Sequence, residues 1–247
     1  QSIKRTHMNA PLIFLPGWCL GRGPLQAAAD ALNGQIFDLP GYGTAPLIDD
    51  FSSAVDTLAH QLPSGSVLCG WSLGAQLALA IAARYPDKVS TLVLVAGTTS
   101  FIQRDGWPHA MPPDMLAEFT TGVAADIEAM LPRFVGGFNR GDARSKAVIR
   151  ELLELADPRP STAALITGLH WLRDVDLRTL APQVMAPTLL MHGGADPLMP
   201  LGAAEALSAL IPQSRLEIFE DCAHAPFISR PDDFIVRLLA FLNESTV

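Results

Sequence analysis

Short, continuously apolar runs alternate with longer amphipathic segments along most of this chain. Apolar runs without polar interruption are typical of parallel strands that are buried on both faces of a sheet. The segments between the runs place apolar residues at helical spacing. This alternation predicts an α/β fold with a mainly parallel, doubly wound sheet of about six strands and right-handed crossovers. The predicted strands are Leu12–Leu15, Gln35–Asp38, Val67–Gly70, Thr91–Ala96, Pro187–His192 and Arg215–Phe219, and the accompanying helices are Pro24–Leu32, Phe51–Leu62, Leu73–Tyr85, Leu201–Leu210 and Asp232–Leu242.

The alternation is interrupted once, from about residue 100 to residue 176. This stretch contains no convincing strand, and helical spacing predicts three helices at Asp114–Phe138, Asp142–Ala156 and Ser161–Leu172. Because the stretch follows the end of a predicted strand, we expect a helical insertion that covers the carboxyl edge of the sheet. The predicted division is a core of residues 8–99 and 177–247 and a helical cap of residues 100–176.

The composition excludes several classes of protein. Hydrophobic residues make up 49% of the chain and charged residues 17%, which favours a sizeable core over disorder. The formal net charge of -8 argues against a general nucleic-acid-binding protein, because such binding relies on basic residues that neutralise phosphates. No apolar run approaches the roughly 18 residues that cross a bilayer, so we expect no membrane association.

The cysteines and the first residues suggest a cytoplasmic protein. The chain has three cysteines, Cys19, Cys69 and Cys222, and their odd number and their spacing fit neither a disulfide framework nor a metal site. A reducing compartment fits this usage. Residues 1–7 are polar and lack the apolar region of a signal peptide, and we expect Met8 to be the natural start.

A Gly-x-Ser-x-Gly motif, Gly70-Trp71-Ser72-Leu73-Gly74, joins the third predicted strand to the following helix. This strand–turn–helix context is that of a nucleophile elbow in an α/β hydrolase. Glycines on either side of the serine remove side chains that would collide where strand and helix approach closely. We therefore predict that Ser72 is a nucleophile held above a helix N-terminus. The alternative, a turn without chemistry, is less favoured because suitable partners follow later in the chain.

A serine nucleophile needs a histidine as general base and a carboxylate that orients the histidine. Only His224, of six histidines, follows a late strand and precedes a final helix. Asp196 follows two glycines after the penultimate strand, which is where an α/β hydrolase carries its acid. The other position that relatives use, residues 96–99, contains no carboxylate. The predicted triad is Ser72, Asp196 and His224, whereas Asp221 is expected in an exposed turn and His192 in a structural role.

The developing oxyanion requires backbone N–H donors. We predict that these are the amides of Leu73, which follows the nucleophile, and of Trp18, in the turn after the first strand. Relatives commonly carry His-Gly in this turn, where this chain has Pro16-Gly17, so the hydrogen bonds of that histidine are lost. Cys19, beside the turn, is expected to be a small apolar filler rather than a nucleophile, since His224 already serves Ser72.

Several segments resemble the pimeloyl-[acyl-carrier protein] methyl ester carboxylesterases of biotin synthesis, the BioH family. The similar segments are Gly70–Gly74, Asp38-Leu39-Pro40-Gly41-Tyr42-Gly43, Arg104-Asp105-Gly106-Trp107-Pro108 and His224-Ala225-Pro226-Phe227-Ile228-Ser229. The resemblance extends from Leu12 to Leu242. It implies an α/β-hydrolase fold and a serine carboxylesterase that acts on an acyl-carrier-protein ester. The usual sheet has eight strands, and this chain begins close to the third of them.

The predicted cap contains a locally basic segment. Between Arg133 and Arg150 there are five basic residues and a single acid, Asp142. Such a segment in an acidic protein could steer an acidic partner, although its charge alone favours an ordinary solvated helix. The resemblance implies that this partner is acyl carrier protein. The predicted docking residues are Arg133, Arg140, Arg144 and Arg150; the spacing of Arg140 and Arg144, and of Lys146 and Arg150, predicts that each pair shares a helical face.

An acyl channel is expected beneath the cap. Its candidate lining consists of aromatic residues, each of which has plain core packing as the simpler alternative: Trp18, Trp71, Phe119, Phe134 and Trp171.

The residues predict a serine esterase that works through an acyl-enzyme, and the resemblance implies that its substrate is the methyl ester of pimeloyl-acyl carrier protein. We expect a cytoplasmic monomer that needs no metal or organic cofactor. Three alternatives remain. A general short-chain carboxylesterase or a thioesterase would use the same triad, and a non-catalytic ligand-binding protein could share the fold. A haloalkane dehalogenase is disfavoured because it needs an aspartate where Ser72 stands.

Overall fold

The computed structural model describes residues 10–157 and 160–245. Met8, the expected start, lies outside the described residues. Six strands form one parallel sheet in the order β2-β1-β3-β4-β5-β6 within this part of the chain. The strands are β1 (Leu12–Leu15), β2 (Gln35–Ile36), β3 (Ser66–Trp71), β4 (Val89–Val95), β5 (Thr188–Gly193) and β6 (Ser214–Phe219). The helices are α1 (Gly23–Leu32), α2 (Phe51–Gln61), α3 (Leu73–Arg84), α4 (Pro113–Ala125), α5 (Ile127–Phe138), α6 (Ser145–Leu155), α7 (Thr162–Asp174), α8 (Leu201–Leu210), α9 (Pro226–Ser229) and α10 (Pro231–Glu244).

The predicted parallel α/β sheet is confirmed. Every residue of β1, β3 and β5 is buried, as the continuously apolar runs indicated, whereas the edge strands β2 and β6 are mostly half-exposed. β2 is shorter than the predicted Gln35–Asp38. The amide of Phe37 still donates to the carbonyl oxygen of Phe14, but Asp38 turns away from the sheet and pairs with Arg22 at 3.0 Å.

Four helices, α4 to α7, lie between β4 and β5. The prediction of one helix over Asp114–Phe138 is wrong, because the chain becomes extended at Asp126, with φ -159° and ψ 89°. The Asp126 side chain accepts a hydrogen bond from the amide of Ala129 and so caps α5, as an aspartate at a helix start commonly does. The assignment of residues 100–176 to a separate cap remains a prediction.

The strand order reverses between β1 and β3. Connections leaving these two neighbouring strands run to opposite sides of the sheet, which opens a crevice beyond their carboxyl ends. The turn after β1 holds Gly17 and Trp18, and the turn after β3 holds Ser72. Residues predicted for the nucleophile and the oxyanion donors therefore lie at the position where open α/β sheets bind ligands. None of the described helices is long and apolar enough to cross a lipid bilayer.

Candidate active site

Ser72 occupies a strained turn between β3 and α3. Its φ of 56° and ψ of -115° lie in a region that non-glycine residues rarely adopt and that costs about 1–3 kcal/mol. A side chain at Gly70 would place its Cβ 2.2 Å from the carbonyl oxygen of Gly74, and one at Gly74 would lie 2.3 Å from that of Leu15. The predicted reason for both glycines is thus confirmed.

His224 lies between the serine and the acid. Its Nε2 is 3.0 Å from Ser72 Oγ, and its Nδ1 is 2.8 Å from Asp196 Oδ2. The three side chains come from the loops after β3, β5 and β6, which all end at the same edge of the sheet. They are nearly excluded from solvent, with 9% exposure for Ser72 and 2% for His224. Ser72 and Asp196 are therefore each within hydrogen-bond reach of His224, which is the geometry that a nucleophile, a base and an orienting carboxylate require.

Asp196 is held in place by its own loop. Its Oδ1 accepts hydrogen bonds from the amides of Leu198 and Met199, both at 2.9 Å, which leaves Oδ2 for His224. His192, at the end of β5, is buried beneath this loop and its Nε2 lies 2.6 Å from the carbonyl oxygen of Met199. This hydrogen bond agrees with the structural role that we expected for His192.

The turn after β1 closes over Ser72. A Cβ on Gly17 would lie 3.3 Å from Ser72 Cβ, so the two turns are in contact. Within the described part of the chain, the amides of Trp18 and Leu73 donate to no protein acceptor, which leaves both free for an oxyanion. The side chain of Trp18 donates from Nε1 to the carbonyl oxygen of Leu165 at 2.9 Å, so α7 also supports the turn.

Cys19, next in this turn, is buried and unpaired with another cysteine. Burial raises the pKa of its thiol well above the ordinary value, which disfavours the thiolate that a cysteine nucleophile requires. This environment agrees with its expected role as an apolar filler.

An apolar cavity of about 430 Å³ lies between the turn after β1 and helices α4, α5 and α7. It is lined by Trp18, Leu116, Phe119, Met130, Phe134 and Leu172, with Glu118 as its charged lining residue. A second, very small cavity is bounded by Ser72, His224 and Trp71 and shares Trp18 and Phe134 with the first. The large cavity therefore adjoins the small one beside Ser72, with Trp18 and Phe134 bordering both, and its size is ordinary for a small-molecule site.

Trp171 is the exception among the predicted lining residues. It borders neither cavity; instead its Nε1 donates to the carbonyl oxygen of Asp49 at 2.7 Å and its ring packs edge-on against Phe51. Helical spacing predicts that Trp171 is buried on α7, but it does not indicate whether the side chain faces the cavity or packs against α2.

Trp71 has a second contact that the sequence did not reveal. Its indole Nε1 donates to the backbone carbonyl oxygen of His224 at 2.9 Å, and its ring lies 5.8 Å from the imidazole. Trp71, directly before Ser72, thus supports the backbone of His224. No local sequence signal indicates a contact across 153 residues.

The four predicted docking arginines are all exposed. Arg133 lies on α5 and Arg150 on α6, where Lys146 precedes it by one turn. The prediction that Arg140 and Arg144 share a helical face is wrong, because α5 ends at Phe138 and α6 begins at Ser145, so both lie in the junction between them. Arg144 Nη1 also donates to the carbonyl oxygen of Ser229 at 2.6 Å.

The described residues contain no group of three or more histidine, cysteine, aspartate or glutamate side chains that could hold a metal ion.

Comparison with known proteins identifies the family. Residues 10–231 match the model of the alpha/beta hydrolase fold family. A pimeloyl-[acyl-carrier protein] methyl ester esterase from Aromatoleum aromaticum is 40% identical over 93% of this chain and 97% of the relative. The protein of the same name from Nitrosomonas europaea is 35% identical over 94% and 96% of the two chains. An esterase structure from Exiguobacterium antarcticum superposes with a TM-score of 0.85 at 26% identity, covering 95% of this chain and 92% of the other. The chain therefore belongs to the α/β-hydrolase family and, within it, to the esterases named for pimeloyl-[acyl-carrier protein] methyl ester.

Proposed function

We propose that this esterase hydrolyses the methyl ester of pimeloyl-acyl carrier protein in biotin synthesis, with Ser72 as nucleophile, His224 as general base and Asp196 as orienting acid. The observation that carries the chemistry is the pair of distances at His224, 3.0 Å to Ser72 Oγ and 2.8 Å to Asp196 Oδ2. The relatives named for this substrate, at 35% and 40% identity over nearly the whole chain, support the choice of ester.

In the first half-reaction, His224 Nε2 accepts the Ser72 proton while Oγ attacks the ester carbonyl. Negative charge develops on the carbonyl oxygen, where the free amides of Trp18 and Leu73 stabilise it. The tetrahedral intermediate collapses, and methanol leaves with the proton from His224. The acyl group then remains bound to Ser72 as an ester.

In the second half-reaction, water replaces methanol. His224 accepts a proton from the water, the hydroxyl attacks the acyl-enzyme carbonyl, and the same two amides hold the oxyanion. Ser72 recovers its proton from His224 as the carboxylic acid leaves. Two backbone amides hold Asp196 Oδ1, so that Oδ2 orients the imidazole through Nδ1 in both half-reactions.

The large apolar cavity suits the methylene chain of the acyl group. Trp18, Phe119 and Phe134 form its aromatic wall, and Trp71 borders the narrow end at Ser72. In this proposal the carbonyl lies at Ser72 and the chain extends through the cavity toward the carrier protein. Helices α4 to α7 would then form the cap over residues 100–176.

The basic segment from Arg133 on α5 to Arg150 on α6 is the proposed docking surface for acyl carrier protein. Arg133, Arg140 and Arg150 are exposed and form no ion pair within the described residues. Exposed, unpaired guanidinium groups are available for an acidic partner and raise its rate of encounter. The proposal places the enzyme in the cytoplasm as a monomer, with the carrier protein as its partner and without nucleic acid or membrane.

The test compares the wild type with one variant on two substrates. We expect higher kcat/KM for the carrier-bound methyl ester than for dimethyl pimelate, and loss of both activities in Ser72→Ala. We also expect the wild type, but not Ser72→Ala, to restore growth of a biotin auxotroph that lacks this esterase. Equal activity on both esters without rescue would indicate a general carboxylesterase. Rescue by Ser72→Ala would indicate a binding protein and overturn the catalytic proposal.

A further inference from the structure

A buried carboxylate outside the proposed triad contacts the loop that carries His224. Asp142 lies in the junction between α5 and α6 and is only 6% exposed. Its Oδ2 accepts a hydrogen bond from the amide of Ala223 at 3.0 Å. Its Oδ1 accepts one from Ser229 Oγ at 2.9 Å and one from the amide of Arg144 at 2.7 Å. Asp142 thus joins the helical insertion to both ends of the 223–229 segment.

Further hydrogen bonds join the same two segments. The amide of Ala143 donates to the carbonyl oxygen of Asp221 at 2.9 Å, and Arg144 Nη1 donates to that of Ser229. Each of these bonds connects residues far apart in the sequence. The α5–α6 junction therefore fixes the histidine loop on one side, while the indole of Trp71 holds it at the carbonyl oxygen of His224 on the other.

We propose that Asp142 is a positioning residue that keeps the His224 imidazole in line between Ser72 and Asp196. Ala223 directly precedes His224, so the bond from its amide to Asp142 restrains the backbone from which the imidazole projects. This inference rests on the proposed role of His224 as general base. A displacement of about 1 Å in such a group can cost about 100-fold in rate, so a restraint at this point bears directly on turnover.

The hydrogen-bond pattern requires a carboxylate. Both oxygens act as acceptors, with two donors at Oδ1 and one at Oδ2. An asparagine of the same shape would turn an NH2 group toward at least one of these donors and would lose that bond. Asp142→Asn is therefore a nearly isosteric change that removes the restraint without opening a cavity.

Asp142 also connects the proposed docking surface with the histidine loop. Arg140 and Arg144 flank it by two residues on either side. The two roles predict different kinetics: docking residues affect KM for the carrier-bound ester alone, whereas a residue that positions His224 affects kcat for every ester.

The experiment measures Asp142→Asn on the carrier-bound methyl ester and on p-nitrophenyl butyrate. We expect kcat to fall by about 10- to 100-fold on both substrates, with KM changed by less than about threefold. The rate at which a fluorophosphonate modifies Ser72 should fall in parallel, because this reaction also needs His224 as base. Asp126→Asn is the matched control, since Asp126 caps α5 in the same insertion without touching the histidine loop.

The outcomes separate this inference from the proposed function. Turnover that survives Ser72→Ala would overturn both. An inactive Ser72→Ala with wild-type kcat and labelling rate in Asp142→Asn would overturn the positioning role alone. Should Asp142→Asn fail to fold, Ser229→Ala removes one donor to the same carboxylate. A smaller loss in kcat and labelling rate would then support positioning, and unchanged values would assign Asp142 to stability only.

Discussion

The hydroxyl oxygen of Tyr42 accepts a hydrogen bond from the backbone amide of Cys19 at 2.7 Å. Cys19 follows Trp18, a proposed oxyanion donor, and has a φ of 69°, which is unusual for a residue with a side chain. Tyr42 is buried, and burial raises the pKa of its hydroxyl above the ordinary value, so it remains protonated. This tyrosine supports the turn that holds Pro16, Gly17 and Trp18.

We expect Tyr42→Phe to lower kcat by about 10-fold, because a displaced Trp18 amide stabilises the oxyanion less well and complete loss of a donor costs about 100- to 1000-fold. The buried Cys19 amide would lose its partner, which costs about 1–3 kcal/mol of stability. Steady-state kinetics and thermal unfolding measure the two effects. Tyr85→Phe is the matched control. Tyr85, the second tyrosine of the chain, lies at the C-terminal end of α3, away from Ser72, and its hydroxyl donates to Asp56 on α2. Equal kcat in both variants would contradict this role for Tyr42.

Phe119 and Trp171 should respond differently to substitution. Phe119 lines the large cavity and packs against Trp18 at 5.6 Å between ring centroids. Phe119→Ala should therefore raise KM for acyl esters by about 10-fold or more, since even one missing methylene contact in an apolar pocket costs about 1–3 kcal/mol, or roughly 10- to 200-fold. Trp171→Phe should leave KM unchanged and lower the melting temperature, because it removes the bond to Asp49. A raised KM in Trp171→Phe would contradict the position of Trp171 outside the cavity.

The sheet was predictable because its signals are local. Continuously apolar runs indicated β1, β3, β4 and β5, and the glycines of the elbow follow from a collision that any side chain would cause. The break between α4 and α5 was also encoded locally, by the capping side chain of Asp126, but the apolar pattern continues across it and concealed it.

The supports of the proposed triad were not predictable, because each depends on a contact between distant segments. The sequence distinguishes Asp142 only as the single acid in a basic segment. Its hydrogen bond with Ala223 joins residues 81 positions apart, and no local pattern indicates it. Tyr42 lies in the Asp38–Gly43 segment that resembles the family, but nothing in that segment indicates that its hydroxyl reaches Cys19. The direction in which an individual aromatic side chain points is equally hard to predict from sequence. The same reasoning therefore predicts both Phe119 and Trp171 at the cavity, but only Phe119 lies there.

Removing charge from the proposed docking surface should weaken carrier recognition. The double variant Arg133→Gln/Arg140→Gln is expected to raise KM for the carrier-bound ester by about 10-fold at low salt and less at higher salt, because ions screen such contacts. KM for dimethyl pimelate should not change. We leave Arg144 intact because it also bonds to Ser229.

The control for this charge change is Arg84→Gln/Arg215→Gln. These arginines lie at the end of α3 and near the start of β6, on the side of the sheet opposite the carboxyl ends. The control substitutions remove the same total charge as Arg133→Gln/Arg140→Gln. An equal rise in KM in both double variants would therefore mean that net charge, rather than the α5–α6 surface, governs carrier binding.

His192 should make the stability of the protein fall in mild acid. Burial lowers the pKa of His192 below the ordinary value of 6.5, and His224 also lowers it. Together these outweigh the opposing effects of Asp196, whose Oδ2 lies 3.9 Å away, and of the hydrogen bond to Met199. The unfolded chain therefore binds a proton in a pH range where the folded chain does not. The stability that arises from the neutral imidazole is complete above about pH 6.5 and is lost as the pH falls toward the folded pKa.

His192→Gln keeps a donor for the carbonyl oxygen of Met199 and cannot titrate. We expect the free energy of unfolding of the wild type to decline more steeply between pH 7 and pH 5 than that of the variant, by up to about 1.4 kcal/mol per pH unit for one proton. Urea unfolding at a series of pH values measures both curves. Parallel curves would mean that His192 is protonated alike in the folded and unfolded chain, and that its burial beside Asp196 does not hold it neutral.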